Sequence, residues 1–303
     1  MSTNAFLRER AMRTAFVKRS VSAFMPGERF EDALAAAIAQ DRQGIGTIFT
    51  KLGENLTRLD EAEAVTAHYL DVLDRIRASG LRAQVSIKPT QLGFDLDSEL
   101  AFRNLQRLVD RSAENRAIVW IDMESSPYVD PTIELFRRTR ARSPYVGVAI
   151  QAYLYRSAKD VEALVPLGAA IRLVKGAYLE PPDVAFPKKR DVDENFYALA
   201  CRLLRPQDSD ARQAGGLLHI ATHDPRLIDR LRQFIRDRGV PKDAYEYAML
   251  YGIQRPLQQR LVQAGEPLRV LIAYGESWFP WYMRRLAERP ANIGFVIKNI
   301  FAR

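Results

Sequence analysis

Cysteine and histidine are scarce in this chain. Cys201 is the only cysteine among its 303 residues, and His68, His219 and His223 are the only histidines. A lone cysteine cannot form an internal disulfide, and so few thiols and imidazoles do not supply the usual ligand set of a structural zinc or iron–sulfur centre. We therefore expect no metal site in this protein.

Long apolar runs are also missing. No stretch has the roughly 18 to 20 consecutive apolar residues that a bilayer-spanning helix needs. The first residues, Met1-Ser2-Thr3-Asn4, are not followed by the apolar segment of a signal peptide. The sequence therefore predicts a cytoplasmic protein.

The common nucleotide-binding and hydrolase motifs do not occur either. The chain contains no G-x-G-x-x-G, no G-x-x-x-x-G-K-[ST], no G-x-S-x-G and no H-E-x-x-H. These absences exclude a Rossmann dinucleotide site, a P-loop, a nucleophile-elbow hydrolase and a zincin protease. A nucleotide cofactor would have to be held by another arrangement.

The overall composition is ordinary for a globular protein. Hydrophobic residues make up 47% and charged residues 27%, and 45 lysines and arginines against 37 acidic residues give a formal net charge of +8. This excess favours anionic partners or a solvated basic surface. The basic residues are spread along the chain without a stripe of stacking aromatics, so we do not expect a nucleic-acid partner.

From residue 46 onward, short β-rich apolar runs alternate with segments of helical periodicity. Eight such runs are predicted as strands: 46–52, 83–89, 117–123, 146–154, 170–174, 217–222, 245–251 and 268–274. The helical segments between them are 61–79, 98–113, 131–142, 160–164, 193–204, 224–238 and 256–263. Eight strands each followed by a helix predict an α/β protein of the (β/α)₈ TIM-type barrel class.

The N-terminal part has a different pattern from the barrel. Residues 1–45 are predicted as a helical arm or cap with helices over 5–17 and 30–41, and Pro26-Gly27 is predicted as a turn between them. The catalytic barrel is predicted over 46–303. We find no linker composition and no repeat beyond the βα period, so one barrel domain is the economical interpretation.

Polar residues end most of the predicted strands. Catalytic residues of such barrels come from the carboxyl ends of the strands, so these side chains should converge on one face. They include Lys88, Asp122, Gln151, Arg172, Lys175, Thr222, His223 and Glu276. Lys88 and Arg172 lie in apolar strands, where a buried cation requires an anion or a ligand, and Asp122 could be the structural partner of Lys88.

The segment after the eighth strand is the most unusual in the chain. Pro280 suits the first turn of a helix that Ser277 could cap, and the adjacent Arg284 and Arg285 follow within two turns. Such a pair can grip a carboxylate or phosphate through charge-assisted hydrogen bonds. The alternative is that one arginine faces solvent or pairs with Glu288.

Six motifs in order resemble those of the proline dehydrogenase family. They are Ser86-Ile87-Lys88, Ile121-Asp122-Met123-Glu124, Gln151-Ala152-Tyr153, Arg172-Leu173-Val174-Lys175-Gly176-Ala177-Tyr178, Ala221-Thr222-His223 and Tyr282-Met283-Arg284-Arg285-Leu286-Ala287-Glu288. The resemblance spans residue 46 to the C-terminus. It implies a distorted barrel that holds FAD non-covalently, oxidises L-proline to Δ1-pyrroline-5-carboxylate and passes electrons to a quinone.

The resemblance also implies a substrate site. Lys88, Arg284 and Arg285 would bind the proline carboxylate, while Tyr282 and Leu250 would pack on the ring and place its C5 hydrogen over flavin N5. Asp122 and Arg172 are the implied catalytic residues, Asp122 through a hydrogen-bond network beside the substrate. A hydride can leave C5 once the ring nitrogen is an uncharged amine.

For the cofactor, the implied contacts are Met123, Gln151, Arg172, Val174, Lys175, Gly176, Ala177, Tyr178, Thr222, His223 and Glu288. The small Gly176 and Ala177 would let the flavin ring lie against the fifth strand. Arg172 and Lys175 would place positive charge near the ring and the diphosphate. The resemblance assigns His223 to cofactor contact and not to acid–base work.

The chain departs from the family pattern at one position of the eighth strand. Leu271 stands where many relatives have a tyrosine, so a hydroxyl that affects proline against hydroxyproline selectivity is missing or is supplied by Tyr274. Because the chain ends at Arg303, we expect a monofunctional enzyme that releases its product to a separate pyrroline-5-carboxylate dehydrogenase. Quinone reduction implies transient contact with the inner membrane face, and the net positive charge of the chain favours attraction to anionic lipid there.

Two other functions are compatible with parts of the sequence. A barrel lyase of the aldolase type could use Lys88 or Lys175 as a Schiff-base lysine, with Asp122 as its acid–base group. A nucleic-acid-binding module could use the basic surface. A colourless protein that borohydride traps with a carbonyl substrate would favour the lyase, and steeply salt-dependent DNA binding would favour the binding module.

Overall fold

The computed structural model describes residues 21, 24–53, 56–205 and 216–279. Eight parallel strands form a closed barrel in chain order, and the last strand pairs with the first. The strands are β1 (Gly46–Lys51), β2 (Ala83–Ile87), β3 (Val119–Ile121), β4 (Val146–Gln151), β5 (Ala170–Val174), β6 (Leu217–Ala221), β7 (Tyr245–Leu250) and β8 (Leu268–Tyr274). Each lies within the apolar run that predicted it, so the predicted (β/α)₈ fold is confirmed.

Helices surround the barrel and connect its strands. They are α1 (Phe30–Asp41), α2 (Leu59–Ser79), α3 (Ser98–Ala113), α4 (Val129–Arg140), α5 (Ser157–Leu164), α6 (Lys189–Leu204), α7 (Pro225–Arg238) and α8 (Arg255–Gln263). Short 3₁₀ turns lie at Pro89–Leu92, Ser126–Tyr128, Val165–Leu167 and Lys242–Ala244. None of the helices within the described ranges is long and apolar enough to cross a membrane.

The starts of the amphipathic helices follow from local capping. Asp97 caps α3 by accepting hydrogen bonds from the backbone amides of Glu99 and Leu100. Asp224 caps α7 in the same way through the amide of Arg226. The predicted helix 224–238 therefore begins one residue later, because Asp224 is its cap.

Helix α1 lies beside the seam where the barrel closes and contacts both β1 and β8. The ring of Phe30 lies 5.1 Å from that of Phe49 on β1 and 5.4 Å from that of Tyr274 on β8. This helix of the predicted arm therefore covers apolar side chains of the first and last strands. The predicted helix 5–17 lies outside the described residues.

The barrel interior follows from strand alternation, because successive side chains point to opposite faces. Trp120 on β3 points inward, is fully buried and packs with Ile48 and Ala170. Gly147 on the next strand makes room for it, since a Cβ there would lie 2.6 Å from the indole ring. Polar and charged side chains occupy other inward positions, and they form the site described next.

Candidate active site

The carboxyl ends of the strands bring the predicted side chains to one rim of the barrel. The pairing of Ile87 with Ile121 places Lys88 beside Asp122, and Gln151 is paired with Val174 on β5. Asp122 and Lys88 are half-buried, as are Val174 and Leu250, whereas Gln151 is buried. The structure therefore brings these predicted residues to the same rim of the barrel.

The buried Arg172 and the half-buried Asp122 form an ion pair at this rim. Arg172 Nη2 contacts Asp122 Oδ1 and also donates to Ser86 Oγ at 2.9 Å, while Ser86 Oγ donates to Asp122 Oδ1 at 2.8 Å. The Arg172 side chain is 5% exposed. Its Nη1 is buried and has no hydrogen-bond partner within the described part of the chain. The carboxylate that we considered as the partner of Lys88 is thus paired with Arg172.

Three residues that the sequence reasoning missed hold the strand ends around Lys88. Gln91 accepts from the Lys88 amide at 3.2 Å and donates to the Lys51 carbonyl at 2.8 Å, so it ties the end of β1 to the turn after β2. Thr90 donates to the buried carboxylate of Glu124 through its hydroxyl at 2.9 Å and its amide at 3.2 Å. Two features of the sequence could have indicated these residues. Thr90 and Gln91 are polar and directly follow Lys88-Pro89, and Glu124 ends one of the six motifs that resemble the family.

Met123 and Gln151 are both buried where β3 and β4 end. Gln151 Nε2 donates to the Glu124 carbonyl at 2.7 Å, which fixes its side-chain amide. Both predicted cofactor contacts therefore lie at the rim.

Lys175 lies in a cluster of four charged side chains at the ends of β5 and β6. Its ammonium is 2.5 Å from Asp193 Oδ1 and 3.2 Å from Asp224 Oδ2, and Lys189 contacts the same two carboxylates. Burial raises the pKa of Asp224, but the two lysines outweigh burial and hold that pKa below its ordinary value. In this structure Lys175 is held in ion pairs with two carboxylates, which does not favour it as a Schiff-base nucleophile.

Gly176 must be glycine for a reason internal to the protein. Its φ is +124°, and a Cβ at this position would lie 2.3 Å from the ring of Tyr153. Tyr153 packs so closely on the backbone here that residue 176 has no room for a side chain, whether or not a cofactor lies nearby. Ala177 and Tyr178 follow in the loop after β5, with Ala177 exposed and Tyr178 half-buried.

His223 and Thr222 have local partners at the end of β6. His223 Nε2 accepts from the Leu250 amide at 2.8 Å, which couples β6 to the predicted substrate contact on β7. The Thr222 hydroxyl accepts from the Asp224 amide at 3.2 Å. Since His223 Nε2 already accepts a hydrogen bond, this geometry does not favour it as a general base.

The suggestion that Tyr274 supplies a hydroxyl to the site is wrong. Leu271 faces the interior and packs near Ile48 and Trp120, so strand alternation places Tyr274 on the outer face of β8. There the Tyr274 hydroxyl is 2.8 Å from His68 Nε2. The inward side chain of β8 beside Ile48 and Trp120 is therefore the apolar Leu271.

Four predicted site residues lie outside the described residues. They are Tyr282, Arg284, Arg285 and Glu288. Their roles in binding the substrate carboxylate, packing on its ring and contacting the cofactor stay predictions.

A second ion pair lies inside the barrel below Arg172. Glu246 accepts from Arg269 Nε at 2.7 Å and from Nη2 at 2.9 Å, and His219 Nε2 lies 2.8 Å from Glu246 Oε2. Burial raises the pKa of Glu246, but the adjacent His219 and the hydrogen-bonded Arg269 outweigh it and hold that pKa well below its ordinary value. Burial lowers the pKa of His219 to about 4, and Glu246 opposes this only in part. The imidazole is therefore neutral near pH 7.

This neutral histidine predicts a loss of stability in acid. The unfolded chain protonates His219 near its ordinary pKa of 6.5, whereas the folded chain does so only near 4, so the unfolded state binds more protons in that window. The free energy of unfolding should therefore fall from this group by up to about 1.4 kcal/mol per pH unit as the pH drops through the window. Urea unfolding of the parent protein and of the His219→Phe variant at several pH values measures this pH dependence of the free energy of unfolding. We expect the flatter pH curve for the variant, and identical curves would contradict the prediction.

Fold and rim together define a (β/α)₈-barrel enzyme with its site at the carboxyl ends of the strands. The family model that matches residues 33–298 is described as proline dehydrogenase. Proline dehydrogenase 2 of Bacillus subtilis (strain 168) is 36% identical over 274 residues, covering 90% of this chain and 88% of that protein. Proline dehydrogenase of Deinococcus radiodurans is 36% identical over 282 residues, covering 91% and 88%. The chain belongs to the proline dehydrogenase family.

A solved structure that resembles this one belongs to a longer protein. Proline utilization A (PutA) from Bdellovibrio bacteriovorus, inactivated by N-propargylglycine, superposes with a TM-score of 0.82 at 23% identity. The match covers 94% of this chain and 34% of that one, so this chain spans about a third of its length. At this identity, the likeness shows the shared barrel fold.

Proposed function

We propose that this protein oxidises L-proline to Δ1-pyrroline-5-carboxylate with FAD as its cofactor. The observation that carries the proposal is the buried Arg172 at the rim of a chain of this family, paired with Asp122 and left with an Nη1 that has no hydrogen-bond partner among the described residues. A buried guanidinium donor without a partner is costly, so its position favours a ligand that offers hydrogen-bond acceptors. Flavin ring nitrogens and carbonyls are such acceptors.

The residues at the rim fit this cofactor. Arg172 and Lys175 supply positive charge at the end of β5, where a bound flavin and its diphosphate would be held. Met123 and Gln151 would contact it from β3 and β4, and Val174, Gly176, Ala177, Tyr178, Thr222, His223 and Glu288 complete the proposed contacts. When bound, FAD supplies a hydride acceptor.

The protein side chains would bind and orient the substrate. Lys88, with Arg284 and Arg285, would hold the carboxylate through charge-assisted hydrogen bonds. Leu250 at the rim and Tyr282 would pack on the apolar ring and exclude water from it. Asp122 would hold Arg172 in place through Oδ1, and its half-buried carboxylate adjoins the position of Lys88.

The later fate of electrons and product is also part of the proposal. The electrons would pass to a quinone, which implies transient contact of the protein with the membrane surface at the inner face. The product would pass to a separate pyrroline-5-carboxylate dehydrogenase. Both inferences rest on the family resemblance.

An anaerobic absorption spectrum tests the proposal. The purified protein, reconstituted with FAD where necessary, should show an oxidised flavin band that bleaches on addition of L-proline. D-Proline serves as the control because it presents the same groups in the opposite configuration. A bound flavin that L-proline leaves oxidised would overturn the substrate, and a protein that binds no FAD would overturn the cofactor.

A further inference from the structure

One histidine lies between two ion pairs inside the barrel. Arg172 on β5 is paired in register with His219 on β6, and His219 is paired with Glu246 on β7. All three point inward. His219 therefore lies between the cation of the rim pair, Arg172–Asp122, and the anion of the lower pair, Glu246–Arg269.

Packing fixes the His219 ring in this position. His219 is fully buried, and its ring centroid lies 4.1 Å from that of Trp120 at an interplanar angle of 37°. Trp120 is held in turn by a hydrogen bond from Nε1 to Gln84 Oε1 at 2.7 Å. The guanidinium carbon of Arg172 lies 5.4 Å from the Trp120 ring centroid. The two aromatic rings thus form a neutral layer beneath Arg172.

We propose that His219 is a positioning residue, which keeps Arg172 paired with Asp122 at the rim by separating it from Glu246. The inference rests on the proposed function, because it assigns Arg172 to the flavin site. Strands β5 and β7 are roughly 10 Å apart, a span that extended arginine and glutamate side chains can bridge. Without the ring, Coulomb attraction in the buried interior draws Arg172 toward Glu246 and away from Asp122 and Ser86.

Two substitutions at His219 separate this role from simple packing. His219→Ala opens the path to Glu246, so the rate of anaerobic flavin reduction by L-proline should fall at least about tenfold and the FAD dissociation constant should rise. His219→Phe keeps a neutral ring between the two charges. Its reduction rate and FAD affinity should stay within about threefold of the parent. Equal losses in the two variants would overturn the proposal.

A rescue experiment tests the charge directly. In the double variant His219→Ala/Glu246→Gln, no carboxylate competes for Arg172, so most of the lost reduction rate and FAD affinity should return. A cavity effect predicts the opposite, because the second change adds an unpaired Arg269 to the cavity. A double variant no better than His219→Ala, at matched thermal stability, would contradict the separation of charges. If the double variant does not fold, the comparison of His219→Ala with His219→Phe tests the proposal.

The readouts also separate this inference from the proposed function. FAD affinity of the apoprotein, measured by fluorescence titration, does not depend on proline. If the parent binds FAD but L-proline leaves it oxidised, the proposed substrate fails while the FAD affinities still test His219. If L-proline bleaches the parent and His219→Ala alike, with unchanged FAD affinity, the role of His219 fails alone.

Discussion

The Asp122→Ala variant is expected to lose at least about 100-fold in kcat/KM for L-proline. Asp122 is the carboxylate that pairs with the buried Arg172 at the rim, and Ser86 donates to the same oxygen. Removing one partner of a buried pair leaves an uncompensated charge, which costs roughly 3 to 5 kcal/mol. Arg172 would move to find another acceptor, so the proposed flavin site would lose its orientation. Steady-state kinetics and thermal unfolding of the same preparation measure both effects.

The matched control is Asp122→Asn. The asparagine oxygen can still accept from Arg172 and Ser86, but the negative charge is gone, so the loss should be intermediate, roughly tenfold. An Asp122→Ala protein that keeps parental stability and turnover would show that Arg172 does not depend on this carboxylate. A loss of stability with full turnover per bound FAD would give Asp122 a structural role only.

The second large effect is expected at Gly176. Gly176→Ala places a methyl group 2.3 Å from the Tyr153 ring, on a backbone with φ +124° that L-residues rarely adopt. Overpacking and backbone strain together should cost roughly 2 to 6 kcal/mol. Because Gly176 directly follows Lys175, the shift should also weaken FAD binding. Chemical denaturation gives the stability, and fluorescence titration gives the FAD dissociation constant.

Gly239 provides a control for the backbone contribution. Its φ is +59° at the end of α7, and nothing lies within 4 Å of the position of a Cβ. Gly239→Ala should therefore cost only about 1 to 2 kcal/mol from the left-handed conformation and leave FAD binding unchanged. If the two alanine variants lose the same stability and the same FAD affinity, the contact with Tyr153 adds nothing to the effect of the backbone conformation, and the prediction for Gly176 is wrong.

The sequence predicted the barrel because most strand residues are buried and the strands appear as apolar runs. The same pattern located Lys88, Asp122 and Gln151, since a polar residue that ends an apolar run is conspicuous. Ser86 and His219 were not predicted as functional, because each lies inside an apolar strand. Their partners, Asp122 and Glu246, lie on other strands, and only the register of the barrel brings them together.

The error at Tyr274 has a different cause. Strand parity was available from the sequence, and the inward position of Leu271 already places Tyr274 on the opposite face. Tyr274 is close to Leu271 along the chain, but side chains three residues apart in a strand point to opposite faces. The partner of Asp122 was less accessible, because Arg172 reaches it across the barrel interior from two strands away.

The place of α1 against the first and last strands has a consequence for synthesis on the ribosome. The helix is made before every strand of the barrel, but part of its docking surface belongs to β8, the last of the eight strands to be made. Phe30 then has no Tyr274 to pack against until β8 has been translated. Closing a contact between such distant segments is slow, so the nascent barrel passes through an open state with an uncovered apolar edge.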